Sequence, residues 1–237
     1  MPAGPVVVAA AADLAFAFAE LGTAFGQKTG TKPTFTFGST GLLAKQIQEG
    51  APFDVFAAAN VSFADSVIAA GACDGSTKAL YARGRIVLWA RTGVTLPDTV
   101  AGLADPRFVK VALANPEHAP YGRAAREAME HAGVWETLKS RLVFGENVQQ
   151  TLSFAQTGNV DVAFVALSLA TVTKGGAYVS VDESFHAPID QALVVCRHGK
   201  NSEAGKAFTD FVGSPDGRAI MKRYGFLLPG EVLAQAR

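Results

Sequence analysis

Val6-Val7-Val8-Ala9-Ala10-Ala11-Ala12-Asp13 stands near the start of the chain. An unbroken run of small and β-branched apolar residues reads as a strand buried on both faces, and it stops at an acidic residue that opens the helical pattern of Leu14–Thr29. The same handover recurs along the chain. Strand-like runs at Lys32–Phe37, Val55–Ala58, Arg85–Ala90, Lys110–Ala114, Val143–Gly145, Val162–Val165, Tyr178–Val181 and Gln191–Cys196 alternate with helical periodicity at Leu42–Gln48, Ser62–Ala70, Gly122–Ala132, Val134–Ser140, Gln149–Gln156, Ala166–Thr171, Ser202–Val212 and Pro215–Tyr224. This alternation predicts an α/β protein with mostly parallel strands. Two long apolar strands, after the Gly84 turn and after the Pro188 loop, bracket a middle segment with strands and helices of its own. They read as crossings between two lobes: residues 1–84 with 194–237 in the first, and 85–193 in the second.

The 237 residues are 49% hydrophobic and 18% charged, with 24 Gly and 11 Pro. That composition predicts a compact soluble fold and excludes disorder, collagen and coiled coil. Lys+Arg and Asp+Glu both number 21, for a formal net charge of +0, which argues against nucleic acid or an anionic membrane surface as main partner. No apolar run approaches the roughly 20 residues needed to cross a bilayer, so direct membrane insertion is not expected. Met1-Pro2-Ala3-Gly4 leads straight into the first strand without the order of an export signal, so the chain reads as cytoplasmic or as a mature form with a replacement start. Cys73 and Cys196 lie far apart with no Cys-x-x-Cys. Neither a zinc site nor a disulfide framework is indicated, and two buried thiols is the simpler reading than a bridge.

Catalytic constellations are missing. There is no phosphate-loop motif, no Gly-x-Gly-x-x-Gly after a strand, no Gly-x-Ser-x-Gly and no His-Glu-x-x-His, and each of those spacings is what its chemistry requires. His118, His131, His186 and His198 are scattered, and the pair Glu127 and Glu130 reads as solvated charge on a helix face. An enzyme is not expected.

The turns carry more. Ala11-Ala12-Asp13, Gly38-Ser39-Thr40-Gly41, Pro120-Tyr121-Gly122 and Glu146-Asn147-Val148 each close a strand or loop and open a helix with small or capping residues. Asn147 with Gln150 has capping-box-like spacing. Taken singly, such a residue is usually only a helix cap. As a set, two per lobe, they supply unpaired backbone N–H groups and positive helix ends, which hold an oxyanion without Lys or Arg.

Phe37-Gly38-Ser39-Thr40-Gly41, Gln46-Ile47, Gly50-Ala51-Pro52-Phe53-Asp54-Val55-Phe56, Ile86-Val87-Leu88-Trp89, Asn115-Pro116-Glu117-His118-Ala119-Pro120-Tyr121-Gly122, Phe164-Val165-Ala166-Leu167 and Lys222-Arg223-Tyr224-Gly225-Phe226 follow one another in order. In these stretches, which span nearly the whole chain, the sequence resembles the molybdate-binding proteins that serve ABC importers. The resemblance implies a two-lobed type II periplasmic-binding fold with mixed, mostly parallel sheets joined by a two-strand hinge. It further implies a monomeric receptor that holds molybdate or tungstate in the interlobe cleft through neutral donors and delivers it to a membrane permease, free in the periplasm or tethered by lipid. No cofactor is implied, and molybdenum is bound as an oxyanion rather than as a cation. Carried over by position, the contacts are Ala12, Asp13, Ser39 and Thr40 in the first lobe and Tyr121 and the Val148 N–H in the second. A tyrosine that some members use after the strand at Ala163–Val165 is replaced here by Ala166, with Tyr121 taking its place. Asp54 is expected to satisfy backbone donors near the cleft, Trp89 to pack at the hinge, and Tyr224-Gly225-Phe226 to dock the last helix on the first lobe.

Asp13 departs from the family pattern of Ser, Thr or Asn, because an ionised carboxylate cannot donate to an anion. At about 5 Å from a dianion and an effective dielectric near 20, the repulsion is roughly 6–7 kcal/mol. Asp13 could turn away to cap its own helix, which is the least demanding solution. It could instead bind as the neutral acid, or accept a proton's hydrogen bond from a phosphate-like or phosphonate-like ligand. Two further readings stay open: an enzyme on the same scaffold with Asp13 as acid or base, and a cytoplasmic oxyanion sensor.

Overall fold

The computed structural model describes residues 5–231. In chain order the elements are β1 (Val6–Ala11), α1 (Ala15–Thr29), β2 (Pro33–Gly38), α2 (Thr40–Gln48), β3 (Val55–Ala58), α3 (Val61–Ala69), β4 (Cys73–Gly84), β5 (Ile86–Arg91), β6 (Val111–Ala114), α4 (Pro120–His131), α5 (Trp135–Leu138), β7 (Leu142–Gly145), α6 (Val148–Gln156), β8 (Val162–Ala166), α7 (Leu167–Ala170), β9 (Gly176–Ser180), β10 (Ile189–Cys196), α8 (Ser202–Gly213) and α9 (Pro215–Arg223). The chain divides into two compact units. Unit 1 runs to Gly84 and resumes at Asp190, and unit 2 is Arg85–Ile189. The return to unit 1 thus falls inside β10, earlier than the 193/194 border expected from the sequence.

Unit 1 is built on a five-stranded sheet in the order β2-β1-β3-β10-β4. Strand β1 pairs in parallel with β2 and β3, and β10 returns antiparallel to β3. Helix α1 buries Ala17, Phe18, Leu21 and Phe25 at helical spacing, and it ends where Gly30 adopts φ 74°, a left-handed turn that suits glycine. Phe18, Phe25, Phe35 and Phe208 meet ring to ring at 5.4–5.8 Å between centroids, fixing α1 and α8 against the sheet. Asp54 is 1% exposed. Its two carboxylate oxygens accept from Val7 N (2.7 Å) and Asn201 N (2.6 Å). It does satisfy backbone donors, but at the start of β1, the end opposite Asp13. Tyr224 donates to Glu20 of α1 (2.9 Å), so the C-terminal helix docks on unit 1 as expected.

Two readings of the sequence need correction here. Residues 73–84, assigned no strand, form β4, the longest one described. It is an edge strand with much of its length exposed, so its polar residues conceal the alternation. Cys73 and Cys196 are bonded, with S–S 2.09 Å, not two separate thiols. They end neighbouring strands of one sheet, an adjacency that 123 residues of sequence separation hides.

Unit 2 carries a second sheet in the order β7-β6-β8-β5-β9. Strands β7, β6 and β8 are parallel, and β5 pairs antiparallel with β8 and β9. Trp89, expected at the hinge, lies inside this sheet between Ala163 and Tyr178 and is 1% exposed. Glu127, read as solvated charge, accepts a hydrogen bond from Ala187 N (2.8 Å).

Candidate functional site

In unit 1 the carboxyl ends of β1 and β2 are flush, with Ala11 paired to Gly38. From Ala11 the chain enters a 3-10 turn, Ala12–Leu14, and continues as α1; from Gly38 it enters α2 with Ser39 as N-cap residue. Two helical N-termini therefore start side by side at the strand ends, where open α/β sheets hold ligands. Ala12, Asp13, Ser39 and Thr40 are brought together there and all are buried, at 1–3% exposure. Ser39 makes no side-chain capping bond. Thr40 Oγ1 accepts from Ala59 N at 3.3 Å, and a hydroxyl that accepts still carries its own hydrogen to donate.

Asp13 does not cap its helix. Ala11 and Leu14 occupy the N-cap positions of the turn and of α1, and neither end has a side-chain capping bond. The Asp13 carboxylate instead accepts from Gln191 Nε2 through Oδ2 (2.7 Å), while Gln191 Oε1 accepts from the Tyr81 hydroxyl (2.6 Å). Gln191 belongs to β10 and Tyr81 to β4, and both are buried. Burial, reinforced by the Asp13 charge, pushes the Tyr81 phenol well above its usual pKa. Sequence reading missed both partners. A polar residue inside an apolar strand, as in Ile189–Cys196, was the available signal for Gln191.

Unit 2 repeats the construction. The ends of β6 and β7 are flush, with Ala114 paired to Gly145, and Asn115 N extends the pairing to Gly145 O at 2.8 Å. Helix α4 begins with Pro120 at its first position and Tyr121 next, 4% exposed. Gly122 lets this end approach the sheet: a Cβ built there lies 1.9 Å from Ala114 O. Helix α6 begins at Val148, 4% exposed. Asn147 Oδ1 accepts from Gln149 N and Gln150 N, each at 3.0 Å, and Gln150 Oε1 accepts from Glu146 N at 2.7 Å. The capping spacing read from the sequence is thus a real reciprocal cap, displaced by one residue on the return bond. Its bonds go to the second and third helical amides, not to Val148. Ala166 ends β8 and caps α7 without a side-chain donor.

Neither set of turns holds a Lys or Arg. Among the described residues no cluster of His, Cys, Asp or Glu could hold a metal ion, and no helix is long and apolar enough to cross a membrane. The donors at the turns are backbone N–H groups, helix ends and the hydroxyls of Ser39, Thr40 and Tyr121, which suits a bound oxyanion.

The sequence profile of the bacterial extracellular solute-binding proteins matches residues 6–227. The molybdate-binding protein ModA of Rhodobacter capsulatus is 37% identical over 225 residues, covering 95% of this chain and 89% of its own. ModA of Azotobacter vinelandii is 34% identical, covering 94% and 90%. The solved periplasmic molybdate-binding protein of Azotobacter vinelandii superimposes with a TM-score of 0.88 at 28% identity, covering 94% of this chain and 99% of that one.

Proposed function

The chain belongs to the bacterial extracellular solute-binding proteins, and on that footing we propose that it captures molybdate or tungstate and delivers it to the membrane permease of an ABC importer. One observation carries the reading. In each unit two helices start side by side at flush ends of parallel strands, Ala11 beside Gly38 and Ala114 beside Gly145, with no cationic side chain at the turns. Such neutral, fixed donors stabilise a dianion through N–H dipoles and hydroxyls.

The unit 1 donors are the backbone of Ala12, Asp13 and Ser39 and both the hydroxyl and amide of Thr40. Unit 2 offers the hydroxyl and amide of Tyr121 and the amide of Val148. Molybdenum enters as its oxyanion, so no side chain coordinates a metal cation and no cofactor is needed. No bond of the ligand is made or broken, so the protein acts as a receptor and not an enzyme, and it works as a monomer. Its place is outside the cytoplasm, where the Cys73–Cys196 bridge persists.

Thermal unfolding with molybdate, tungstate, sulfate, chromate, phosphate and a phosphonate tests this reading. A ligand at about a hundred times its Kd stabilises the fold by about 2.7 kcal/mol. Selective stabilisation by molybdate and tungstate is expected. Stabilisation by phosphate or phosphonate alone overturns the assignment.

A further inference from the structure

We propose that Gln191, oriented by Tyr81, is a positioning residue of the anion site: it takes up the Asp13 carboxylate so that the turn after β1 presents backbone N–H groups to an oxyanion. The inference rests on the oxyanion-receptor reading above.

The sheet register places Gln191 at the site. Strand β10 runs antiparallel to β3 with Ala192 opposite Ala58, so Gln191 comes level with Ala59, the residue whose N–H reaches Thr40 Oγ1. Strand β1 pairs Ala10 with Ala57 of β3, which brings Ala12 to that same row. With Asp13 ionised, the polarity of the chain of bonds has one solution. A carboxylate only accepts, a phenol here donates, and an amide must turn one end to each. Tyr81 donating to Oε1 at 2.6 Å therefore fixes Nε2 toward Asp13, where it donates at 2.7 Å. The raised phenol pKa keeps Tyr81 a donor through neutral and mildly alkaline pH. Gln191 is 0% exposed, so no bulk water substitutes for its amide. With that amide gone, the Asp13 charge loses the donor that takes it up and stands beside the turn where an oxyanion would bind, repelling it.

The test is a double-mutant cycle on the full chain. Molybdate is titrated calorimetrically into the parent, Gln191→Met, Asp13→Asn and the double variant, with the unfolding temperature of each unliganded protein recorded alongside. Gln191→Met is expected to weaken molybdate binding about tenfold or more in the parent. In the Asp13→Asn background, where the side chain carries no charge to take up, the same change is expected to weaken it less than about twofold. Tyr81→Phe is expected to lower affinity in the same direction by a smaller factor. Equal losses in both backgrounds, or none in the parent, overturn the inference. Should Gln191→Met fail to fold, the cycle built from Tyr81→Phe and Asp13→Asn decides it by the same criterion. A parent that binds neither molybdate nor tungstate overturns the receptor reading itself, a result distinct from a parent that binds and a Gln191→Met that binds equally well.

Discussion

Cys73, the first residue of β4, is disulfide-bonded to Cys196, the last residue of β10, its neighbour in the unit 1 sheet. The bridge pins the edge strand at the end of β10 remote from Gln191. It closes a loop across a separation of 123 residues, so its loss is expected to cost about 2–5 kcal/mol, chiefly by freeing the unfolded chain. Denaturant unfolding of the double Cys73→Ser, Cys196→Ser variant measures this, with molybdate affinity expected to stay near the parent value.

Tyr121→Phe removes one hydroxyl donor from the start of α4 and leaves the ring packing in place. A loss of about 1–3 kcal/mol in molybdate binding is expected, the cost of an unmet oxyanion lone pair. Unchanged affinity in a calorimetric titration removes Tyr121 from the site.

Thr40→Val acts twice. It deletes a candidate ligand donor and also the acceptor of Ala59 N. Binding is expected to fall by about 1–3 kcal/mol, accompanied by a smaller drop in the unfolding temperature of the unliganded protein.

Gly122→Ala forces a methyl group to within 1.9 Å of Ala114 O, and a backbone carbonyl cannot yield as a flexible side chain can. The start of α4 must shift, carrying Tyr121 with it. Stability is expected to fall by about 1–3 kcal/mol, and molybdate affinity to fall by more than in Tyr121→Phe.

Tyr81 makes unit 1 sensitive to alkali. Its folded pKa lies above the ordinary value of 10.0 because burial, and then the Asp13 charge, disfavour the phenolate. The folded state keeps a proton that the unfolded chain releases, so the stabilisation is complete below about pH 10 and declines as pH rises beyond it. Tyrosinate absorbance followed through an alkaline titration should show the Tyr81 ionisation deferred to unfolding, and Tyr81→Phe should remove that contribution.

The handover turns and their helices were legible in the sequence because they are local. The run Val6–Ala11 is a strand as read, Asn147 caps α6 with Gln150 answering, and the lack of cationic residues at the turns needs no coordinates. Edge strand β4 escaped because exposure on an edge removes the alternation that marks a strand. Asp54 is legible as a partner for backbone donors, but which donors it serves depends on how β1 lies beside β3.

Sequence alone thus determined the α/β alternation, the small capping residues at the four turns and the lack of a phosphate-loop, Gly-x-Gly-x-x-Gly, Gly-x-Ser-x-Gly or His-Glu-x-x-His motif. Only the tertiary structure decided what Asp13 does. Its partner Gln191 is 178 residues away in the chain, and Tyr81 lies 110 residues from Gln191. Periodicity reports which face of an element is buried, but strand order and register choose which buried polar groups meet. A carboxylate that reads as a cap from its neighbours becomes instead the end of a hydrogen-bonded row running from β4 through β10 to the turn after β1.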